Sequence, residues 1–554
     1  MERRRFAALG ALALLAVMPA SAAHGKSLAH PVIEAPRQVT GDANPLRLYD
    51  IPALAVDPRD SNTVVMAVGD ARNGGCGLRV SRDGGLSWAT TATNLLRDPK
   101  DFCIQRALGP VMAPAFGADG TLYVAMPSSS PATDAANGPI DLLLARTSDV
   151  GATHETVTVA RSEVVTVNPA DYGGQGVAQE GNSWHKFPSL VVDPKHPNRI
   201  YAGWRWYAYG KNLQSLTGDV PFRPYFSVSD DGGKAWAKPV DLPAVSKGEQ
   251  VYGASAPMLV VAPNGDIYGF SKELLKSPPP GQTSPSPRVL MFKSGDGGRS
   301  WSTSVVVNDP GPNLQASPEA AVDPRNGNLY VVYGVGPPHT SLDKPPPGPQ
   351  KVFVTTSTDT GKTWSKPAKI DDPQAPADRG DEFYPNISVA PTGRVDVAWY
   401  DFRNDPTGPR QVGQFYRGER YWDVYYSSST DAGATWSPNM RVTNPSVDGK
   451  QGATFNNIDT RGPIGLQSTS GMAYVAWPDS RATDANGDAE DAYFARIRYS
   501  ETPASATTSS RPGWVWGALG AAVTLMVGGL LLAVAGRRSS HGPESPTEPA
   551  SPVT

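Results

Sequence analysis

Short hydrophobic runs, each bounded by Pro, Gly and Asp, recur along the chain at a regular interval. Segments that open with a proline, such as PALAVDP at Pro52 and PSLVVDP at Pro188, each precede a second apolar run, such as VVMAVG or RIYAGW. The prolines that open these segments recur about every 67 residues: Pro52, Pro114, Pro188, Pro257, Pro318 and Pro385. Short apolar runs between turn residues are typical of β-strands. The pattern therefore predicts an all-β chain built from a repeated unit of four short strands.

A second repeat falls within the same unit, at a turn. Residues 81–88 read SRDGGLSW, and residues 229–236, 294–301, 357–364 and 429–436 keep its Ser, Asp, Gly and Trp. Residues 147–154 (TSDVGATH) are a degraded sixth copy. Asp can accept backbone N–H bonds inside a tight turn, and Trp can pack between neighbouring sheets. We therefore expect a structural role for the Asp and Trp of each intact copy: Asp83, Trp88, Asp231, Trp236, Asp296, Trp301, Asp359, Trp364, Asp431 and Trp436.

The turn motif S-x-D-x-G-x-x-W resembles the Asp-box (BNR) repeat of the sialidase superfamily, and the resemblance covers residues 31–500. It implies a β-propeller whose ligand site lies on the face away from the Asp boxes. Sialidases of this superfamily have six blades, but at about 67 residues per blade the interval 24–500 has room for about seven. We predict seven blades, with six as the alternative. The last blade is expected to combine residues 473–496 with the N-terminal residues 32–40.

Both ends of the chain carry targeting signals. Three arginines and a short apolar run within residues 1–23 have the form of a secretory signal peptide. Residues 514–536 are uncharged and long enough for a transmembrane helix, and Arg537 and Arg538 follow at once. The chain is thus predicted to be a single-pass cell-membrane protein with an extracellular propeller. Residues 501–512 are expected to be a flexible stalk and residues 537–554 a disordered cytoplasmic tail.

Charge and composition limit the partners and cofactors. The 554 residues include 50 Lys and Arg against 53 Asp and Glu, and this balance gives no electrostatic case for nucleic acid. The seven histidines form no metal-ligand spacing, so no cofactor is predicted. A weak calcium site is the alternative to a solvated turn at Asp484, Asn486, Asp488 and Glu490.

The chain has two cysteines, Cys76 and Cys103. Their loops are predicted to emerge on the same face of an exported domain. A disulfide between them is therefore expected.

Polar residues collect at the strand ends on the face away from the Asp boxes, which also carries long Pro-rich insertions. Carboxylates and guanidinium groups near a propeller axis suit an anionic or polyhydroxylated sugar. The alternative, favoured for the Asp-x-Arg pairs, is a set of turn clamps that tie neighbouring blades together. The candidate ligand-binding residues are Asp50, Arg72, His185, Arg205, Asp401, Arg403, Asp479 and Arg481.

Three residues of the same face are candidate catalytic groups. Glu382 and Tyr384 are two apart in a predicted strand, so they would share a face, and a carboxylate beside a phenol is the nucleophile type that sialidases use. The alternative is that Tyr384 fills the core. Asp70, which follows the second strand of the first blade, is the third candidate.

One departure from the family pattern argues against catalysis. Active sialidases resemble one another in an Arg-Ile-Pro element at the first inner strand, whose Arg holds the substrate carboxylate. This chain has Tyr49-Asp50-Ile51-Pro52 there, and Asp50 would repel a carboxylate. The sequence thus predicts a surface-anchored propeller that recognises glycans or other extracellular ligands through a degenerate site. The alternatives are an active exo-sialidase or other glycoside hydrolase, and a protein-interaction scaffold of the cell envelope.

Overall fold

The computed structural model describes residues 31–41, 49–70, 74–98, 100–103, 112–129, 138–167, 179–210, 222–243, 251–275, 287–308, 313–314, 317–336, 349–370, 380–406, 421–449, 464–481 and 490–499. Their regular secondary structure is entirely β. The strands form meanders of four, in which each strand pairs antiparallel with the next. The prediction of an all-β chain with a four-stranded unit is confirmed.

The N-terminal half of the described chain contains three meanders. Two short strands come first, β1 (Val32–Ile33) and β2 (Arg37–Gln38). The first meander is β3 (Tyr49–Asp57), β4 (Asp60–Asp70), β5 (Gly75–Ser81) and β6 (Ala89–Ala92). The second is β7 (Ala113–Phe116), β8 (Leu122–Ser129), β9 (Ile140–Thr147) and β10 (Glu155–Ala160). An added strand, β11 (Val164–Val167), pairs with the first strand of the third meander, which is β12 (Gln179–Val192), β13 (Ile200–Gly210), β14 (Phe222–Ser229) and β15 (Val240–Asp241).

The remaining strands repeat the arrangement. In the next meander β16 (Val251–Ala254) and β17 (Met258–Val261) both pair with β18 (Ile267–Leu275), followed by β19 (Pro287–Ser294) and β20 (Ser302–Asn308). Then β21 (Asn313–Leu314) and β22 (Glu319–Val322) pair with β23 (Leu329–Gly336), followed by β24 (Lys351–Ser357) and β25 (Ala368–Lys369). After them come β26 (Glu382–Val389), β27 (Val395–Asp401), β28 (Tyr421–Ser429), β29 (Met440–Arg441) and β30 (Val447–Asp448). The last strands are β31 (Gly465–Ser468), β32 (Met472–Asp479) and β33 (Asp491–Arg498).

The first strands of the meanders contact one another in a closed cycle. In order around the cycle they are β3, β7, β12, β17, β22, β26 and β31, and β31 contacts β3. The second and third meanders are also joined by a single parallel bridge between Trp184 and Ile140. Sheets repeated radially around a central axis define a β-propeller. With its Asp-box turns, the chain has the sialidase-like propeller fold that the repeats predicted.

Antiparallel pairing of the two N-terminal strands with β33 closes the ring. Val32 pairs with Arg498, and Arg37 pairs with Phe494. The Thr40 hydroxyl then donates to Asp491 Oδ1 at 2.9 Å and accepts from the Ala492 amide at 2.8 Å. The prediction that residues 32–40 complete the last blade is therefore confirmed. This pairing covers the outer edge of β33, which would otherwise expose unpaired backbone groups.

Each Asp box is a turn tied by its own side chains. In residues 229–236 the Ser229 hydroxyl donates to Asp231 Oδ1 at 2.8 Å and accepts from the Gly233 amide at 2.9 Å. Asp231 Oδ1 also accepts from the amides of Lys234 and Ala235, both at 3.0 Å. Gly233 has a φ of 84°, and a Cβ there would lie 2.5 Å from a methyl group of Leu144. The degraded copy keeps the turn, because Thr147 donates to Asp149 and accepts from Gly151.

The box tryptophans pack against the preceding meander. Trp301 meets Phe226 edge to face at 4.8 Å between ring centroids, and Trp88 meets Phe494 at 5.0 Å. Trp364 meets Phe270 in the same way at 5.9 Å. The turn therefore places an aromatic plug between neighbouring sheets, as predicted.

Cys76 and Cys103 form the predicted disulfide, with their Cα atoms 5.4 Å apart. Both cysteines are buried beside Leu95 and Met112. The bridge links β5 to the segment that leads into the second meander.

The predicted terminal segments, 1–23, 501–512, 514–536 and 537–554, lie outside the described residues. Within the described residues there is no helix with the length and apolar character needed to cross a membrane.

The closure by Thr40 gives a stability prediction. Thr40→Val keeps the side-chain volume but removes both hydrogen bonds and leaves the buried Asp491 carboxylate short of a donor. We expect a loss of about 1–3 kcal/mol in the free energy of unfolding, measured by denaturant titration. Thr90→Val, on the exposed face of β6, is the matched control. Equal stability of the two variants would show that the Thr40 contact does not hold the closing strand.

Candidate functional site

The candidate site residues lie where several strands end, away from the Asp boxes. Asp70, Asp401 and Asp479 are the last residues of β4, β27 and β32. The Asp boxes follow the third strand of every meander except the last, at the opposite end of the strands. Register pairs Asp401 with Glu382 on β26 and with Asp423 on β28. The carboxylates singled out in the sequence therefore lie at the strand ends away from the Asp boxes.

Asp401 and Arg403 form a closed clamp. Asp401 Oδ1 accepts from the Arg403 amide at 2.8 Å, and Oδ2 accepts from the guanidinium at 2.9 and 2.6 Å. The Trp399 indole also donates to Oδ2 at 3.0 Å, and the Asp401 side chain has no exposed surface. Arg403 stacks 4.1 Å from the Tyr425 ring and reaches Asn439, which donates to the Ile370 carbonyl. The clamp therefore ties one blade to its neighbour.

Asp479 and Arg481 repeat this geometry on the last blade. Asp479 accepts from the Arg481 amide and guanidinium, both at 2.9 Å, and from the Trp477 indole at 2.8 Å. Arg481 also donates to the carbonyls of Asn444 and Pro445. The turn-clamp interpretation thus describes both pairs. The shared pattern W-x-D-x-R was visible in the sequence, but its Trp was not recognised there as a partner of the Asp.

Glu382 lies in a buried group of opposite charges. Its Oε1 accepts from Lys351 Nζ at 2.9 Å and its Oε2 from the Val352 amide at 2.8 Å. Arg403 lies 3.8 Å from Oε1. Burial and the neighbouring Asp401 raise the pKa of Glu382 to about 7, although Lys351 opposes the rise. Lys351 is the cation that pairs with Glu382, and the sequence analysis did not identify it.

The inner strands are distorted at the same point in three blades. Ile51, Phe187 and Tyr384 each precede a proline and have φ values of 46°, 56° and 45°. The register of β3, β12 and β26 shifts by a bulge there. A positive φ is strained for such side chains, and pre-proline residues normally stay extended.

The bulge on β26 bears on the expected contact between Glu382 and Tyr384. The prediction that they share a face assumed that side chains alternate regularly along the strand. The bulge interrupts this alternation at Tyr384. The hydrogen bonds of Glu382 go to Lys351 and Val352 instead. In the described part of the chain no hydrogen bond joins the Glu382 carboxylate to the Tyr384 phenol, and Tyr384, which itself holds the positive φ, is half-buried.

His185 has a structural environment. The Trp204 indole donates to its Nδ1 at 2.8 Å, and its Nε2 lies 3.1 Å from the Arg161 carbonyl. A carbonyl only accepts, so Nε2 carries the proton and the ring is neutral. Burial lowers the pKa of His185 to about 4. Both ring nitrogens are used inside the protein, so His185 is not a ligand-binding group in this structure.

Arg205 lies among aromatic rings on the extended hairpin of β12 and β13. Its guanidinium carbon is 4.4 Å from the Phe187 ring centroid and 4.6 Å from that of Tyr207. Lys186 is its direct cross-strand neighbour. Arg205 therefore remains a candidate for ligand contact, and Lys186 lies directly beside it.

The other candidates are only partly described. Asp70 is 8% exposed, and its carbonyl accepts from the Gly74 amide. Asp50 pairs through its backbone with Gly69, but its side chain lies outside the described part, as do Arg72, Asp484, Asn486 and Asp488. Glu490 is buried. In the described ranges no three acidic, His or Cys side chains are grouped to hold a metal ion.

Glu319, on the inner strand β22, was missed by the sequence analysis. It is 7% exposed, and none of the described residues forms a hydrogen bond or ion pair with its carboxyl group. Burial raises the pKa of its carboxyl to about 8, so Glu319 is protonated at neutral pH. It follows Pro318 as Ser189 follows Pro188 and Asn386 follows Pro385.

The two polar equivalents of Glu319, Ser189 and Asn386, both donate to the next blade. Ser189 Oγ donates to the Pro257 carbonyl and Asn386 Nδ2 to the Ile464 carbonyl, each at 2.6 Å. A protonated carboxyl can also donate, whereas a carboxylate can only accept. The raised pKa therefore gives Glu319 the hydrogen-bonding character of its counterparts.

Comparison with known proteins gives similarity of fold only. No protein-family model matches the chain, and no curated protein matches it. Among solved structures, a Hadza microbial sialidase is 14% identical, with 76% of this chain and 73% of that chain covered and a TM-score of 0.42. A Trypanosoma rangeli sialidase with the inhibitor DANA is 13% identical, with coverage of 71% and 55% and a TM-score of 0.39. A Penicillium chrysogenum α-L-arabinanase with arabinobiose is 14% identical, with coverage of 67% and 94% and a TM-score of 0.41.

Glu319 generates a prediction about pH. Its folded pKa of about 8 lies above the ordinary value of 4.5, so the unfolded chain loses its proton first as the pH rises. Below about pH 4 the buried carboxyl therefore has no pH-dependent effect on the free energy of unfolding. Between about pH 4 and pH 8 it lowers this free energy progressively, and above pH 8 the loss is constant. Glu319→Gln is expected to raise the free energy of unfolding at pH 8 by on the order of a few kcal/mol, and to have little effect at pH 4.

The measurement is denaturant unfolding of both proteins across this pH range. Glu163→Gln, at an exposed position, is the control for loss of one acidic group. A difference between wild type and Glu319→Gln that does not change with pH would contradict the prediction.

Proposed function

We propose that this chain is a seven-bladed, sialidase-like propeller that recognises glycans through the face opposite its Asp boxes. The seven units in the cycle of first strands support this blade number. The proposal keeps the sequence interpretation of the ends: a secreted propeller anchored at the cell surface by residues 514–536. The alternative to glycan recognition is a scaffold that binds other proteins of the cell envelope.

The observation that carries the proposal is the repeated distortion before Pro52, Pro188 and Pro385. Strained backbone persists only where the surrounding structure enforces it, and it concentrates at ligand sites. All three distortions lie on inner strands, and two of the distorted residues are aromatic, Phe187 and Tyr384. Aromatic faces with polar groups nearby suit a sugar, which has both apolar C–H faces and hydroxyl groups.

The engaged carboxylates favour recognition over hydrolysis. Hydrolysis by the usual route needs two carboxyl groups, or a carboxylate and a phenol, free to reach the scissile bond. Asp401 and Asp479 are committed to Arg403 and Arg481, and Glu382 to Lys351. This arrangement supports a site that is degenerate for catalysis.

An exo-glycosidase is the second candidate, favoured by one observation. The pKa of Glu382, about 7, lies where a general acid or base works best at neutral pH. Glu382 would then have to leave Lys351 when substrate binds.

Hydrolysis assays test the choice between these functions. We expect fluorogenic sialosides to be cleaved at least ten- to a hundredfold more slowly than by a competent sialidase, because a lost charge-assisted pair costs about 1.5–3 kcal/mol. Asp50→Arg, which restores the cation of the family element, is expected to increase cleavage. Efficient cleavage by the wild type that Asp50→Arg leaves unchanged would establish the catalytic alternative.

Binding to a glycan array tests recognition directly. Tyr384→Ala should weaken binding of the best glycan about tenfold by removing the ring face, whereas Tyr384→Phe should retain binding. Leu86→Ala, exposed on the Asp-box face, is the control. If wild type binds no glycan, or if Tyr384→Ala binds as wild type does, the proposed site is wrong. If Tyr384→Phe binds but loses a measurable hydrolysis, the phenol acts chemically and the glycosidase candidate replaces recognition.

A further inference from the structure

Glu319 faces the meander that follows its own. In the pairing of β22 with β23, Glu319 lies opposite Val332 and Ala321 lies opposite Tyr330. Ala321 and Val332 pack with Ile387 of β26 in one hydrophobic cluster. Side chains two residues apart on a strand share a face, and so do directly paired residues. The Glu319 side chain therefore lies between the sheet of β22 and the sheet of β26.

A glycine leaves space beside Glu319 on the side of the candidate ligand face. Gly334 is on the same face of β23 as Val332, two residues closer to the strand end that lies away from the Asp boxes. A Cβ added at Gly334 would lie 3.7 Å from the Glu382 carbonyl oxygen and 4.0 Å from Cδ of Pro385. These are ordinary contact distances, so the space is large enough for a methyl group. We call the space bounded by Glu319, Gly334 and Pro385 the inter-blade notch.

Two glycines at other junctions between meanders are packed more closely. A Cβ at Gly203 would lie 2.8 Å from Cγ of Pro257, and one at Gly465 would lie 2.5 Å from the Pro52 carbonyl oxygen. Each proline belongs to the next meander around the ring, as Pro385 does for Gly334. Of these three junctions, the one at Gly334 therefore has room for a group of a ligand.

Glu319 also has no counter-ion in the described part of the chain. Its carboxyl group forms no hydrogen bond or ion pair there, and burial alone raises its pKa to about 8. A carboxylate removed from water without a cation is costly, so the group takes up a proton instead. Three other buried acids of this end of the propeller each have a cation: Glu382 with Lys351, Asp401 with Arg403 and Asp479 with Arg481.

An organic ammonium group fits the inter-blade notch better than a metal ion does. A metal ion needs several ligands, and the described residues group no three acidic, His or Cys side chains. The notch has one carboxyl group, and its neighbours Val332 and Pro385 are apolar. A cation bonded to carbon brings apolar surface for these neighbours and a charge for the carboxylate.

We propose that Glu319 binds the ammonium group of an amino sugar in the inter-blade notch. The ammonium donates hydrogen bonds to the carboxylate and takes the place of the proton that the free protein holds there. That proton leaves to solvent, so the neutral acid and the ammonium give one ion pair and one released proton. The inference rests on the proposed function only for the sugar that carries the amine. Tyr384, which directly precedes Pro385, connects the notch to the glycan site.

Titration calorimetry on the full chain tests the site with glucosamine, N-acetylglucosamine and glucose, and with methylammonium as the bare cation. We expect glucosamine to bind at least about tenfold more tightly than the two uncharged sugars, because it alone presents a cation. Glu319→Gln keeps the size of the side chain but cannot ionise, so it should weaken glucosamine binding about 10- to 100-fold. Glu163→Gln removes an exposed acid and should bind as the wild type does.

Gly334→Ala tests the notch without changing any charge. The added methyl group makes only ordinary contacts with Glu382 and Pro385, so the fold should be retained while the space is filled. We expect glucosamine to bind about tenfold more weakly. Gly471→Ala is the matched control, because its Cβ would lie 3.9 Å from the Tyr499 carbonyl oxygen, at the Asp-box end of the last meander.

Proton release is a readout that a merely structural Glu319 would not produce. At about pH 6 both the Glu319 carboxyl and the amine hold their protons, so binding should release about one proton per glucosamine, measured in buffers of different ionisation enthalpy. Affinity should therefore rise about tenfold between about pH 5.5 and pH 6.5. The other ionisable side chains on the strands packed against β22 are Tyr330, Tyr333, Glu382 and Tyr384. Glu319→Gln leaves these four in place and should release no proton.

The outcomes separate this site from the proposed function. If Glu319→Gln and Gly334→Ala bind glucosamine as the wild type does, or if the wild type releases no proton, the ammonium site is wrong. Glycan binding sensitive to Tyr384→Ala would still uphold the function in that case. If the wild type binds methylammonium with release of a proton but binds no glycan, the site stands and the function fails. If it binds neither an amine nor a glycan, both are wrong.

Discussion

Closure of the ring is the constraint on which the rest of this structure depends. Each inner strand is packed between two neighbours, so a propeller with one open joint leaves two sheet faces exposed. The chain closes that joint with β1 and β2, which pair with β33 and place Thr40 against Asp491. On the other side of the last blade, the buried Arg394 pairs with Asp396 and donates to the carbonyls of Thr469 and Met472. Backbone pairing and a buried ion pair thus hold the final sheet from both directions.

A closed ring also explains how strained residues persist near the axis. Ile51, Phe187 and Tyr384 hold positive φ values that would relax in an isolated hairpin. In the ring, the neighbouring inner strands leave no room for relaxation. The Ser189 hydroxyl and the Asn386 amide bond across to the next blade immediately after two of these distortions. The same packing that stabilises the propeller therefore fixes the geometry of its ligand face.

The sequence predicted what depends on local repetition. The Asp-box turns, the strand period, the closing strand and the disulfide follow from spacing and turn chemistry, because each needs only residues close in sequence or a missing repeat partner. The contact between Glu382 and Tyr384 was not formed as expected, because one bulge changes the direction of a side chain and no local pattern reveals a bulge. The partners of Glu382 and the isolation of Glu319 depend on contacts between strands far apart in the sequence. Those contacts cannot be read from spacing.

The distribution of counter-charges separates scaffold from site on this face. A buried cation with its own carboxylate, such as Arg403 with Asp401, is neutral as a unit and serves the fold. The sequence favoured a clamp where Asp and Arg are two apart, but it could not pair cations such as Lys351 with carboxylates that lie on distant strands. Lys186 and Arg205 are fixed by rings on one surface, and Lys186 pairs with no carboxylate in the described chain. Burial of Lys186 without a carboxylate partner is a cost in stability that the described residues do not offset. Ligand chemistry is therefore better sought where the protein leaves charge uncompensated than where charged residues are most numerous.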